Sequence, residues 1–220
     1  MMELLTAGAV EMTKQDQIQS IDHKKVFKDL YHPPKKPVIL EIPAMHYLKI
    51  DGRGNPNDSE EFSEKTQLLY ALSYAIRFDV KKHLKIAYTV MPLEGLWWAQ
   101  DMDTFHTRDK AAWQWTLMIL QPEFVTAEMV ETGKAEVIRK KKLEQVREIR
   151  FEPYEAGTVV TMLHIGSYDD ETPNIQWMHT YAKDQGYQLH GFHQEIYLSD
   201  PRKTTAEKMK TILRQPIRKA

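Results

Sequence analysis

One order of elements occurs twice along this chain: strand, glycine-bearing turn, helix, strand, strand. No single motif limits the fold as much. In the first occurrence Val38 to Ile50 alternates as a strand around Pro43, with Leu48 and Ile50 on one face. Gly52-Arg53-Gly54-Asn55-Pro56-Asn57-Asp58 is then a turn, and Ser59 or Asp58 caps a helix whose Phe62, Leu69, Leu72 and Ile76 recur at helical spacing. Strands follow at Ile86 to Met91 and at Trp113 to Leu120. In the second occurrence Val159 to Ile165 is the strand and Gly166 to Glu171 the turn. Thr172-Pro173 then supplies the cap and first residue of a helix that buries Ile175, Met178 and Ala182 and stops at Gly186. A strand around Glu195, a short helix over Thr204 to Lys210 and a last strand near Thr211 to Ile217 complete it.

Two such units join their sheets edge to edge. The expected fold is α+β: a tandem βαββ repeat with one joined antiparallel sheet, helices on one side and an open face on the other. Residues 1–36 are expected to be a tail and short helix, with a weak stripe of Ile18, Ile21, Phe27 and Leu30 that ends at His32-Pro33-Pro34. Residues 37–217 are expected to form the domain, in halves of about 37–122 and 148–217. A helix over 126–142 connects them, with Glu128 near its start and Arg139-Lys140-Lys141-Lys142 at its end, matching the helix dipole.

Charge and cysteine content narrow the function. A formal net charge of −1 argues against a broad nucleic-acid footprint, and no helix-turn-helix precedes the repeat. Direct contact with nucleic acid is therefore not expected. No run of about 18 apolar residues is present, so no membrane span is expected. With no cysteine, thiolate nucleophiles and cysteine metal sites are excluded, and a reducing cytoplasm is the expected compartment. The start, Met1 to Val10, is too acidic and too short in apolar core for a secretory signal. His190-x-x-His193 lacks a second ligand pair, so no metal is expected. Gly52-x-Gly54 runs into Asn55-Pro56 rather than a dinucleotide fingerprint, and neither a P-loop nor a serine elbow occurs, so no cofactor is expected.

The chemistry concentrates in His193-Gln194-Glu195-Ile196-Tyr197-Leu198-Ser199-Asp200-Pro201. On a pleated strand Gln194, Ile196 and Leu198 point one way, and His193, Glu195, Tyr197 and Ser199 the other. A mid-strand glutamate is usually solvated, but one followed by apolar Ile196 and Leu198 is a poor strand former unless its face is special. Tyr197 shares that face about 7 Å along, able to donate to a developing oxyanion or to make a structural hydrogen bond. Trp97 and Trp98 point to opposite faces, so at most one of them is expected to enter a cleft, with core filling the alternative for either ring. Trp113 and Trp115 share a face, as core, rim or ligand contact, and Tyr168 at the strand-to-helix turn covers a cleft mouth or packs on the helix.

Four segments together resemble a known family: Pro92-Leu93-Glu94-Gly95-Leu96-Trp97-Trp98, Leu117 to Thr126, His164-Ile165-Gly166-Ser167-Tyr168-Asp169-Asp170-Glu171, and Glu195 to Pro201. In this order, over about Asp22 to Ile217, they resemble the GyrI-like small-molecule-binding proteins, in particular the stand-alone bacterial branch. The pattern differs at Gln194, where histidine is common, at Thr161, where glutamine is, and at Ser167, where proline is. The resemblance implies tandem βαββ units around a ligand cleft on the face opposite the helices, as in the effector domains of Rob and BmrR, and makes Glu195 the central pocket residue. Some stand-alone members are cyclopropanoid hydrolases. Two functions follow as expectations. In the first, Glu195 activates water against a strained, planar electrophile, Tyr197 assists, and Trp97, Trp98, Tyr168 and Trp113 bind the ligand. In the second, the chain is a non-catalytic drug-binding or sequestering module for lipophilic or cationic compounds. The family name adds a weaker third, interaction with a DNA gyrase.

Overall fold

Caps and turn residues set the two main helices. In the computed structural model, which describes residues 18–56, 59–98 and 113–220, Ser59 Oγ accepts from Phe62 N at 3.2 Å and starts α3 (Glu60–Leu84). The second helix, α5 (Thr172–Asp184), carries Pro173 in its first turn and is followed by Gly186 at φ +80°, a left-handed position suited to glycine. Between them α4 (Ala127–Lys141) is capped by Thr126 and packs along α3. No described helix is long and apolar enough to cross a membrane.

The strands are β1 (Gln19–Ile21), β2 (Val38–Ile42), β3 (Met45–Arg53), β4 (Ile86–Tyr88), β5 (Leu93–Trp98), β6 (Gln114–Leu120), β7 (Arg150–Tyr154), β8 (Gly157–Ile165), β9 (Tyr187–Leu189), β10 (His193–Tyr197) and β11 (Lys210–Lys219). The main sheet runs β2-β8-β11-β10-β5-β6-β3-β7, with β9 added to β11. Every pairing within it is antiparallel. With its helices on one side, the fold is α+β. The inner triplets β8-β11-β10 and β5-β6-β3 mirror each other, and they meet at the β10–β5 seam.

Several sequence expectations change. Val38 to Ile50 is two strands, because Pro43 lacks the N–H a central strand needs. β2 crosses to pair with β8, while β3 pairs with β6 and β7. The strand expected to reach Met91 stops at Tyr88, and Leu93–Trp98 forms a strand of its own. The described part of the N-terminal stripe is no continuous helix: β1 pairs with β4, and short helices α1 (His23–Val26) and α2 (Lys28–Tyr31) follow, the first capped by Asp22. The helix expected over Thr204 to Lys210 shrinks to one 3-10 turn, Ala206–Lys208.

The cleft lies on the helix-bearing side of the sheet, not on the opposite one. α3 packs over β3 and β6 and α5 over β8 and β11, so the two helices leave the central seam uncovered between them. The other face is closed by the N-terminal segment. Tyr31 Oη donates to Glu94 Oε1 at 2.7 Å, and Arg214 donates to the Leu30 carbonyl at 2.7 Å.

Candidate functional site

The cleft encloses about 1760 Å³ between α3 and α5, more than the roughly 300–1,000 Å³ common for small-molecule sites. Each helix has two faces. On α3, Leu69, Leu72, Ile76 and Val80 are buried, while Phe62, Thr66, Tyr70 and Tyr74, four residues apart, line the cleft. On α5, Met178 and Ala182 are buried, while Thr172, Ile175 and His179 line it.

Strand parity supplies the floor. His193, Glu195 and Tyr197 line the cleft, whereas Gln194 and Ile196 are fully buried behind it. Glu195 stands across from Gly95 on β5. A Cβ at Gly95 would lie 2.8 Å from Trp97 Nε1, so only glycine lets that indole fold back over its own strand. Trp97 Nε1 then donates to Tyr197 Oη at 3.1 Å, and the Tyr197 hydroxyl donates to Glu195 Oε2 at 2.8 Å. The side chain of Glu195 keeps 16% exposure. Its other oxygen lies 3.7 Å from His193 Nε2. Burial, helped by His179, holds His193 down to about 3, so this is no ion pair at neutral pH.

A second acid reaches the floor from the N-terminus of α5. Glu171 is 4% exposed and in hydrogen-bonding contact with Glu195. Burial first, and the Glu195 charge second, push its carboxyl up to about 10, with Thr211 partly offsetting them. Two adjacent carboxyls in so dry a place hold one proton between them at neutral pH. The same burial, with the two acids, raises Tyr168 to about 12, and Tyr197 rises well above its ordinary value.

The structure brings together most of the residues expected from the sequence. Glu195, Tyr197, Trp97 and Tyr168 form one cluster, the Tyr168 ring edge-on to Tyr197 at 5.7 Å. Trp113 meets Trp97 edge-on at 5.7 Å and lines the cleft. Trp98 also reaches it, although strand parity turns it away from Trp97. Its ring stacks on Phe192 at 4.6 Å, at the margin, and its Nε1 donates to Gln114. Trp115 is core, fully buried and edge-on to Phe62. Among the described residues no group of three or more His, Asp or Glu side chains is placed to hold a metal ion. Glu171 was not singled out by sequence reasoning. The available signal was an acid immediately before Thr-Pro; in the structure it, and not Thr172 as expected, holds the N-cap position, and its side chain makes no capping bond.

Comparison with known proteins fits this geometry. The pattern of the GyrI-like small molecule binding domain matches residues 35–218. The chain belongs to this family. Among solved structures, an uncharacterized conserved protein from Listeria innocua is 39% identical to this GyrI-like domain, with a TM-score of 0.84, over 90% of this chain and 100% of that one. A hydrolase from the same organism is 36% identical, with a TM-score of 0.80 and the same coverage. The EcmrR C-terminal domain shares the fold at 16% identity and a TM-score of 0.54, over 84% of this chain and 98% of that one. No curated protein matches the chain. Two of the three departures from the family pattern lie off the cleft floor: Gln194 donates to Glu94 at 2.6 Å and Thr161 to the Leu213 carbonyl at 2.9 Å. The third, Ser167, donates to Asp170 at 2.6 Å in the turn before α5.

Proposed function

We propose that this GyrI-like domain binds planar, apolar, electrophilic compounds and opens a strained ring on them by adding water, with Glu195 as general base. One observation carries the reading: an acid on the floor of a large cleft, held by a directed hydrogen-bond chain among aromatic rings. Rings from Phe62, Trp97, Trp113 and Tyr168 offer faces and edges to a flat ligand. Glu195 accepts the proton of a water as its oxygen attacks a ring carbon. The strained C–C bond breaks, and its electron pair moves into a conjugated carbonyl. A phenol, Tyr197 or Tyr168, stabilises the oxygen that gains charge. Trp97 fixes the Tyr197 oxygen from behind, so a turn of that hydroxyl redirects its proton from Glu195 to the ligand. The name of a relative at 36% identity, a hydrolase, is in keeping with this chemistry.

Glu195→Gln preserves shape and a hydrogen-bond acceptor but removes the base. Its turnover of a cyclopropane-bearing carbonyl compound, followed by mass spectrometry as gain of one water, is expected to fall by about 100-fold or more. Affinity for the unreacted compound is expected to change by only a few fold. Near-wild-type turnover in this variant would remove Glu195 from the mechanism. The second reading, sequestration of lipophilic cations, is favoured by the same carboxylate beside aromatic faces. Binding without any product in the wild type is its signature.

A further inference from the structure

The mechanism so far uses one of two acids on the cleft floor. Glu171 is almost completely enclosed, lines the same cleft, touches Glu195, and makes no capping bond for the helix it begins. A glutamate in that position gives the helix nothing that serine or aspartate would not give better, while its burial is costly.

We propose that Glu171 and Glu195 work as one acid–base pair, Glu195 taking the proton of the attacking water and Glu171 giving its own to the carbonyl oxygen that becomes negative as the ring opens. This deepens the hydrolytic reading and rests on it. The step balances. A water O–H bond breaks and a C–O bond forms, the ring C–C bond breaks with its electron pair passing to the carbonyl oxygen, and that oxygen gains a proton. Glu195 is left protonated and Glu171 ionised, and their direct contact returns the proton to Glu171, so the site resets with one water consumed. The pair also defines the substrate class: an uncharged strained ring conjugated to a carbonyl, since a cation offers no oxygen to receive the proton.

The groups that face Glu171 agree with its staying protonated. Tyr168 and Asp169 approach from the preceding turn, Glu195 and Tyr197 from β10, and Thr211 from β11, all acidic or neutral. Burial and the Glu195 charge keep its proton on up to about 10.

Glu171→Gln tests the pair, because an amide still donates a hydrogen bond to Glu195 but has no acid proton to deliver. The expected result is a fall in kcat of about 100-fold with KM within a few fold. A wild-type decline in rate on the alkaline side, as Glu171 ionises, is expected to vanish in the variant. Infrared difference spectra at neutral pH are expected to show a protonated-carboxyl band in the wild type that the variant lacks. A rate that falls while the alkaline decline persists would make Glu171 structural only and overturn the proposal. So would an unchanged rate, or no missing band. Should Glu195→Gln abolish turnover while Glu171→Gln does not, the pair fails and the hydrolytic reading stands. If the wild type opens no ring, that reading itself fails, and the infrared band still decides whether the two acids share a proton.

Discussion

A carboxyl that stays protonated at neutral pH leaves a mark on stability as well as on chemistry. Burial, and after it the Glu195 charge, push the Glu171 carboxyl from the ordinary 4.5 of an unfolded chain up to about 10 in the folded protein. Stability owed to this group is therefore complete below about 4.5, and it is lost as pH rises through the folded value. Glu171→Gln cannot ionise and abolishes that slope. Between pH 5 and pH 9 the wild type is expected to lose thermal stability relative to the variant. Each kcal/mol of difference shifts the midpoint by about 2–4 °C for a chain of this size. Parallel slopes in paired melting curves would contradict the assignment. His193 has the opposite sign: its depressed value, about 3, gives stability present above about 6.5 and lost as acid protonates it. What sequence could show at this scale was parity. Alternation puts Glu195 and Tyr197 on one face, and the hydrogen bond between them follows. Glu171 stayed hidden because an acid at a helix N-terminus ordinarily reads as a partner for the dipole, and only the sheet beneath it reveals a second carboxylate.

Among the elements, the β10–β5 seam bears the site on one face and a buried polar knot on the other. Glu94 of β5 accepts from Tyr31 of α2 at 2.7 Å and from Gln194 of β10 at 2.6 Å, with Arg214 of β11 near enough to oppose the rise that burial imposes on its carboxyl. The knot ties the N-terminal segment to the back of the strands that carry Glu195 and Trp97. Glu94→Leu strands a phenol, an amide and a guanidinium in the interior. It is expected to cost about 3–5 kcal/mol in urea unfolding. Ligand affinity of the protein that remains folded is expected to change little, because no cleft contact is removed. A variant as stable as the wild type would mean that water satisfies these groups. Local signals made α3, α5, β8 and β10 legible, since the Ser59 cap, the early Pro173 and the Gly186 stop, and two-residue alternation lie within the segments themselves. They could not show that Pro43 separates two strands with different partners, that Leu93–Trp98 is a strand at the centre of the sheet, or that the cleft lies between the helices. Those facts depend on pairing across long stretches of chain.

For the molecule as a whole, the exchange of outer strands decides how it unfolds. β2 precedes β3 in the chain but pairs with β8, and β7 precedes β8 but pairs with β3. Each inner triplet is thus closed by a strand that leads into the other, and the triplets also share the β10–β5 seam. Neither half can lose its sheet without stripping an edge strand from its neighbour and opening the cleft floor. Unfolding is expected to be a single cooperative transition, despite the mirrored arrangement of the two triplets. The tryptophans provide the probes: Trp97, Trp98, Trp113 and Trp115 lie on or beside β5 and β6, and Trp177 lies on α5. In a variant that retains only Trp177, and separately in one that retains only Trp115, fluorescence and far-ultraviolet circular dichroism should give the same urea midpoint within that variant. Separate midpoints would show that the crossed strands do not couple the halves, and that the acid on β10 and the indole on β5 can part before the protein unfolds.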